Sequence, residues 1–418
     1  MRSSSSTLAA AGGPAGSLRQ DAGVIGLVGL AHGISHFSQL LLPPLFPWLK
    51  DAFHVNYTQL GLLLTIFFVV SCAVQTLSGF VVDRFGPRPV LMGGLALIGL
   101  AALGYASAPN YAALAAWAVV AGIGNGVFHP VDYTLLNAKV HKSRLGHAYS
   151  VHGITGSLGW AIAPALMVPV AVAQGWRVAL VCAAVLAFAV LALIVWQRQP
   201  LLLPAAAPRP GAARAGGAGA LGFLRLPAVW LCFGFFLVYA TALSVVQTYA
   251  PEAARQLHAV PVQLLAACLS VYMLCSAGGM VVGGFLATDP LRGERVIGLG
   301  IGVAACVALA LALLDVPAAA VPVLFGAMGA ATGLSAPSRD LLVKRSTPEG
   351  ATGRVYGVVY SGLDIGQALA PLFFGRLMDA HQYQGVLMGL AIVQCLMIAS
   401  AFNMRRAWHG AAALPAVP

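Results

Sequence analysis

The chain has 418 residues, of which 59% are hydrophobic and only 8% charged, with a formal net charge of +11 and a mean hydropathy of +0.86. Soluble domains carry roughly 25% charged residues, so a water-facing globule is excluded and most of the surface must face lipid. Nor does the positive charge point to nucleic acid, because no basic patch with interleaved aromatics appears.

Residues 1–21 are rich in Ser, Ala and Gly, lack the short apolar core of a cleavable signal, and are expected to form a disordered cytoplasmic lead. Beyond them, uncharged apolar runs long enough to cross a bilayer as helices recur. The first six fall near 22–47, 60–82, 90–108, 111–136, 147–173 and 178–196. Six more fall near 226–250, 262–288, 296–314, 317–343, 353–378 and 385–404. The expected architecture is therefore an all-α membrane protein of twelve spans: a bundle over 22–197, a Pro/Ala/Gly-rich cytoplasmic linker over 198–224, a second bundle over 225–404, and a tail over 405–418. On this topology Arg84, Arg88, Lys139, Lys142, Arg144, Arg198, Arg209, Arg214 and Arg225 share one side, against Lys50, Arg177, Arg255 and Arg376 on the other. That asymmetry places both termini in the cytoplasm of a bacterial-type inner membrane. All seven cysteines lie in apolar runs without metal-binding spacing and read as packing residues.

Span 1 carries His32 and His36, one helical turn apart and so on one face. An ionisable group at the centre of a span costs roughly 2.5–3.5 kcal/mol or more, so it demands a reason. These two can line a cavity, serve as buried structural groups, or ligate a metal; two ligands alone do not make a site, and the expectation is no metal and no cofactor.

Between spans 2 and 3 stands GFVVDRFGPRPVL, residues 79–91. Gly79 permits close helix approach, Asp83 and Arg84 sit at span ends, Gly86 makes the turn, and Arg88 anchors the basic side. The segment resembles the signature loop of the major facilitator superfamily, G-x-x-x-D-R-x-G-R-[RK], with Pro87 in place of a basic residue. The resemblance implies two six-helix bundles that rock around a central site, with this loop latching them on the cytoplasmic side in one state.

Span 4 contains GIGNGVFHP (122–130), followed by Arg144, Gly146, Ala148 and Ser150; this is similar to the fosmidomycin-resistance group of drug-efflux permeases. That group places a glutamate directly after His-Pro, whereas here Val131 intervenes and Asp132 is the nearest carboxylate. His129 and Asp132 share a face beyond Pro130, which is expected to kink the span. They either exchange a proton or form a buried bridge to span 5 through His152. Gly159-x-x-x-Ala-Pro164 in span 5 recurs as Gly366-x-x-x-Ala-Pro371 in span 11, a packing seam that also resembles a degenerate antiporter motif.

The two halves are related. A shift of 207 positions superposes Gly122 on Gly329, Gly126 on Gly333, Pro130 on Pro337, Gly146 on Gly353, Tyr149 on Tyr356 and Gly159 on Gly366. The same shift sets Arg339 on Asp132, with Asp340 beside it. Arg339 is then a charge-paired gate, an anion contact, or a side chain snorkelling to headgroups. Span 11 holds Asp364, a lone carboxylate that calls for a proton or a cationic partner.

Together these residues point to a monomeric secondary transporter of a small organic solute, driven by a proton gradient. Drug efflux and uptake of an organic anion or carboxylate both fit. An enzyme is disfavoured because no nucleophile–base spacing appears, and a sensor because the linker and tails are short.

Overall fold

The computed structural model describes residues 17–203, 227–286, 293–345 and 352–412, and of 228, 293–294, 339–345, 352–360 and 404–412 the backbone alone. Most of the expected linker and the ends of the lead and tail lie outside these residues.

The first half comprises α1 (Leu18–Gln39), α2 (Phe46–Phe53), α3 (Tyr57–Phe85), α4 (Pro87–Ser107), α5 (Tyr111–Asn125), α6 (Phe128–Lys139), α7 (Leu145–Gln174) and α8 (Trp176–Trp196). The second comprises α9 (Pro227–Thr248), α10 (Ala250–His258), α11 (Val262–Leu286), α12 (Gly293–Leu313), α13 (Val321–Arg345), α14 (Thr352–Asp379) and α15 (Tyr383–Ala412). Among the described residues eleven segments are long and apolar enough to cross a membrane, and α14, which carries Asp364, Arg376 and Asp379, is a further long helix.

Local chemistry sets the boundaries. Ser17 and Asn56 close capping boxes with Gln20 and Gln59, starting α1 and α3. Helix α1 thus begins at Leu18, inside the stretch expected to be disordered, and α15 continues past 404 into the expected tail. Gly86, at φ 83°, turns the chain between α3 and α4 where a side chain would be strained. Span 4 departs from expectation. It breaks at Gly126–Val127, between α5 and α6, rather than kinking at Pro130. Pro130 lies in the first turn of α6, where a backbone N–H has no intrahelical acceptor, so proline there costs no hydrogen bond.

The repeat is visible in the packing. In the first half α1 packs on α7, α3 on α5 and α4 on α8; in the second α9 packs on α14, α11 on α13 and α12 on α15. Gly122 and Gly126 lie against the Phe67 and Ser71 carbonyls of α3, and their counterparts Gly329 and Gly333 lie against the Tyr272 and Ser276 carbonyls of α11. A Cβ at any of the four would strike backbone, so the duplicated glycines fix one helix pair in each half.

The halves meet along two pairs, α3 with α14 and α7 with α11. At the end where α3 begins, here called the Tyr57 end, one buried apolar cluster runs through both halves, including Leu60, Phe67 and Leu114 with Tyr249, Phe325 and Leu387. At the opposite Asp83 end the described core is divided. Val24, Leu91, Leu135 and Ile194 belong to the first half alone, and Val229, Phe235, Ile297 and Met397 to the second. The molecule is a fork joined at the Tyr57 end.

Candidate functional site

Three helices of the first bundle converge on a polar cluster. Helix α1 supplies His32 and His36, α6 supplies His129 and Asp132, and α7 supplies His152. Asp132 is fully buried, and His32 and His152 are 2% and 5% exposed. One carboxylate oxygen, Asp132 Oδ2, lies 3.0 Å from His32 Nδ1 and 3.1 Å from His152 Nε2. The second contact is a hydrogen bond. The first is off the line of one, leaving His32 Nδ1 and Asp132 Oδ1 buried without a hydrogen-bond partner among the described residues.

The rings crowd together. His32 stacks on His152 at 3.5 Å between centroids, with His36 at 4.3 Å and His129 at 5.2 Å from His32. Gly156 makes the room: a Cβ there would stand 2.8 Å from the His36 ring and 3.0 Å from His32 Nε2. Toward the Asp83 end the cluster is walled by Tyr133 and Tyr149, 45% and 38% exposed, with Tyr133 5.4 Å from the His152 ring.

A second polar layer adjoins it, built of neutral residues that the sequence reading missed. Asn125, at the α5–α6 break, accepts from Ser35 Oγ at 2.8 Å and donates to Ser71 Oγ at 2.8 Å. Gln39 Nε2 reaches the same Asn125 carbonyl at 3.3 Å, and Trp160 Nε1 donates to Gln39 Oε1 at 3.0 Å. Trp160 also lies against His36, at 4.3 Å between centroids, tying this layer to the imidazoles.

Asp364 stands apart from the cluster. It lies on the α3–α14 seam between the bundles, facing Gln75 Nε2 at 3.5 Å and the Cys72 thiol. Gln367, one turn on, donates to Gln247 at 3.2 Å within the second bundle. The side chains of Arg339 and Asp340 lie outside the described residues.

In the loop, Asp83 and Arg84 are exposed and Arg84 lies over the Phe85 ring. Asp83 has no ion pair among the described residues, and Arg88 Nε is buried without a hydrogen-bond partner. Gly79 does not make the close approach expected of it: nothing lies within 4 Å of where its Cβ would be. The loop is at the divided end of the fork, where the described halves stand apart. Trp176 is 8% exposed and packed beneath Arg177.

The Tyr57 end holds a cross-bundle latch that the sequence reading also missed. Asp379, ending α14, accepts from Tyr57 N at 2.6 Å and from Thr58 N and Oγ1 at 2.9 and 2.6 Å, capping the N-terminus of α3. The Tyr249 hydroxyl faces the carbonyls of Tyr57 and Pro371 at 3.0 and 3.1 Å. Tyr57 in turn donates to Glu252 at 3.2 Å.

This duplicated fork with a polar interior agrees with the comparisons. The sequence profile of the Major Facilitator Superfamily matches residues 28–371. The chain belongs to that superfamily. Membership of that superfamily, together with helices long and apolar enough to cross a bilayer, makes this chain a multi-pass membrane protein. Among curated relatives of this major facilitator chain, an uncharacterized MFS-type transporter, YfnC, of Bacillus subtilis is 29% identical over 150 residues, 36% of each chain. The fosmidomycin resistance protein of Escherichia coli is 27% identical over 189 residues, 42% of this chain and 44% of that one. The matched stretches thus span less than half the length of these relatives. A bacterial homolog of the human lysosomal transporter Spinster, solved inward-facing and unoccupied, shares the fold, with a TM-score of 0.76 at 16% identity over 96% of this chain and all of that one.

Proposed function

We propose that the chain is a proton-coupled secondary transporter of a small organic solute, working by alternating access in a bacterial inner membrane with both termini cytoplasmic. The observation that carries this reading is the fork. One apolar core joins the bundles at the Tyr57 end while the described core is split at the Asp83 end, so the polar cluster of the first bundle communicates with one side, past Tyr133 and Tyr149. Rocking about the α3–α14 and α7–α11 seams exposes it to the other. The basic residues gathered at the Asp83 end support taking that side as cytoplasmic, and this state as inward-open.

Proton coupling is assigned to Asp364. It lies on a seam that must slide as the bundles rock, and its observed partners, Gln75 and Cys72, are neutral. A carboxylate there meets water in one state and protein in the other, the alternation that coupling requires. Drug efflux is the favoured direction, because one relative bears the name of fosmidomycin resistance.

Proteoliposomes loaded with a panel of labelled solutes, fosmidomycin first, test the reading under imposed pH gradients of either sign. The wild-type chain is expected to move a solute against its gradient. Asp364→Asn is expected to keep solute exchange at equal pH and lose gradient-driven accumulation. Accumulation by Asp364→Asn equal to wild type would remove this residue from coupling, and wild-type flux indifferent to pH would refute coupling itself.

A further inference from the structure

We propose that His32, His129 and His152, with Asp132, form a binding site for one divalent transition-metal ion inside the first bundle. One ligand atom from each of the three imidazoles falls within 4.8 Å of the other two. The carboxylate oxygen is 3.0 and 3.1 Å from two of those nitrogens. Ligands about 2.0–2.1 Å from a tetrahedral ion stand roughly 3.3 Å from one another; the two carboxylate contacts are within a few tenths of an ångström of that spacing, and the imidazole nitrogens, within 4.8 Å of one another, close toward it by side-chain rotation.

The unpartnered atoms select among occupants. His32 Nδ1 and Asp132 Oδ1 are buried and make no hydrogen bond among the described residues, although His32 Nδ1 is close to Asp132 Oδ2. His32 Nδ1 and Asp132 Oδ1 are thus each free to direct a lone pair at a cation, while Asp132 Oδ2 exchanges its hydrogen bond from His152 for the ion. An anion is disfavoured because the Asp132 carboxylate already lies against two of the imidazoles. Multiple protonation is disfavoured because His32 and His152 stack at 3.5 Å, bringing like charges together. A metal ion binds the imidazoles in their neutral form and takes the carboxylate as its counter-charge. Nitrogen-rich donors with one carboxylate suit zinc, cobalt and nickel rather than magnesium or calcium. Seating the ion fans the His32 and His152 rings apart from their present 23° interplanar angle. The exposed rims of Tyr133 and Tyr149 mark the entry from the Asp83 end.

The inference does not depend on proton coupling, and its failure would leave the transport reading intact. The test uses full-length protein without a polyhistidine tag, purified in detergent, stripped with chelator and titrated with Co2+. The expected result is one ion per chain, with the visible absorption of four-coordinate cobalt, displaced by Zn2+. His32→Gln and His152→Gln are each expected to weaken binding at least about tenfold. His147→Gln, an exposed histidine outside the cluster, is expected to bind as wild type. Should the cluster variants fail to fold, X-ray absorption of the wild-type zinc form decides, and imidazole nitrogens at about 2.0–2.1 Å are expected in its first shell. No stoichiometric binding by wild type, full binding by both cluster variants, or a shell without imidazole would overturn the site.

Discussion

Asp379 offers the sharpest handle on the rocking motion. Among the described residues it is the side chain of the second bundle that caps the start of α3, accepting three hydrogen bonds from Tyr57 and Thr58 at 2.6, 2.9 and 2.6 Å. A hydrogen bond to a charged group contributes about 1.5–3 kcal/mol, and loss of an N-cap costs about 0.5–2 kcal/mol. These bonds exist only while the Tyr57 end is closed, so nearly all of their worth biases the conformational equilibrium. The bonds share one carboxylate and lie in part-buried surroundings, so about 2–3 kcal/mol is a fair net value. At 1.4 kcal/mol per tenfold, Asp379→Ala should raise the population open at the Tyr57 end about 30- to 100-fold relative to wild type. Spin labels near the start of α3 and the end of α14, read by pulsed electron resonance in nanodiscs, report the distance distribution directly. The long-distance component should grow in Asp379→Ala and grow less in Asp379→Asn, which keeps one acceptor oxygen. A folded Asp379→Ala variant whose distribution matched wild type would refute the claim that this carboxylate holds the gate.

Two further outcomes follow from local geometry. Asp21, 1% exposed, holds Arg144 at 2.6 Å and the His141 N–H at 3.1 Å; Arg144→Gln should destabilise the detergent-solubilised protein by about 2–3 kcal/mol, below the value for a fully buried pair because Arg144 keeps some solvent, and thermal melts should show it. Ala259 ends α10 at φ 50°, a left-handed conformation that costs a non-glycine residue about 1 kcal/mol. Ala259→Gly should therefore raise the melting midpoint, and an unchanged or lower midpoint would count against strain there.

The spans were legible because a helix in lipid must satisfy its backbone internally and clothe itself in apolar side chains, which leaves long uncharged runs. The duplication was legible through Gly126 and Gly333, whose lack of a side chain lets a neighbouring carbonyl in. The histidines and Asp132 stood out because ionisable groups are rare in such runs. Ser35, Gln39, Asn125 and Ser71 did not, since each alone is an ordinary span residue and only the crossing of three helices makes them a network. Asp379 was overlooked for a different reason: a carboxylate at a helix end reads as solvated until the opposing bundle is in place. Asp21 was assigned to a flexible lead because its partner, Arg144, lies 123 residues further along the chain.

The imidazoles and their carboxylate all come from the first bundle, and by the 207-residue shift the second bundle has Val359 where the first has His152. Duplication has therefore been followed by a division of labour. If the bundles rock whole, as proposed, α1, α6 and α7 move as one body and the spacing within the cluster is the same whichever way the membrane protein faces. Under the proposed alternating access, what changes is the roof above it, so a bound species would be carried from one compartment to the other on a tray whose own grip never has to change.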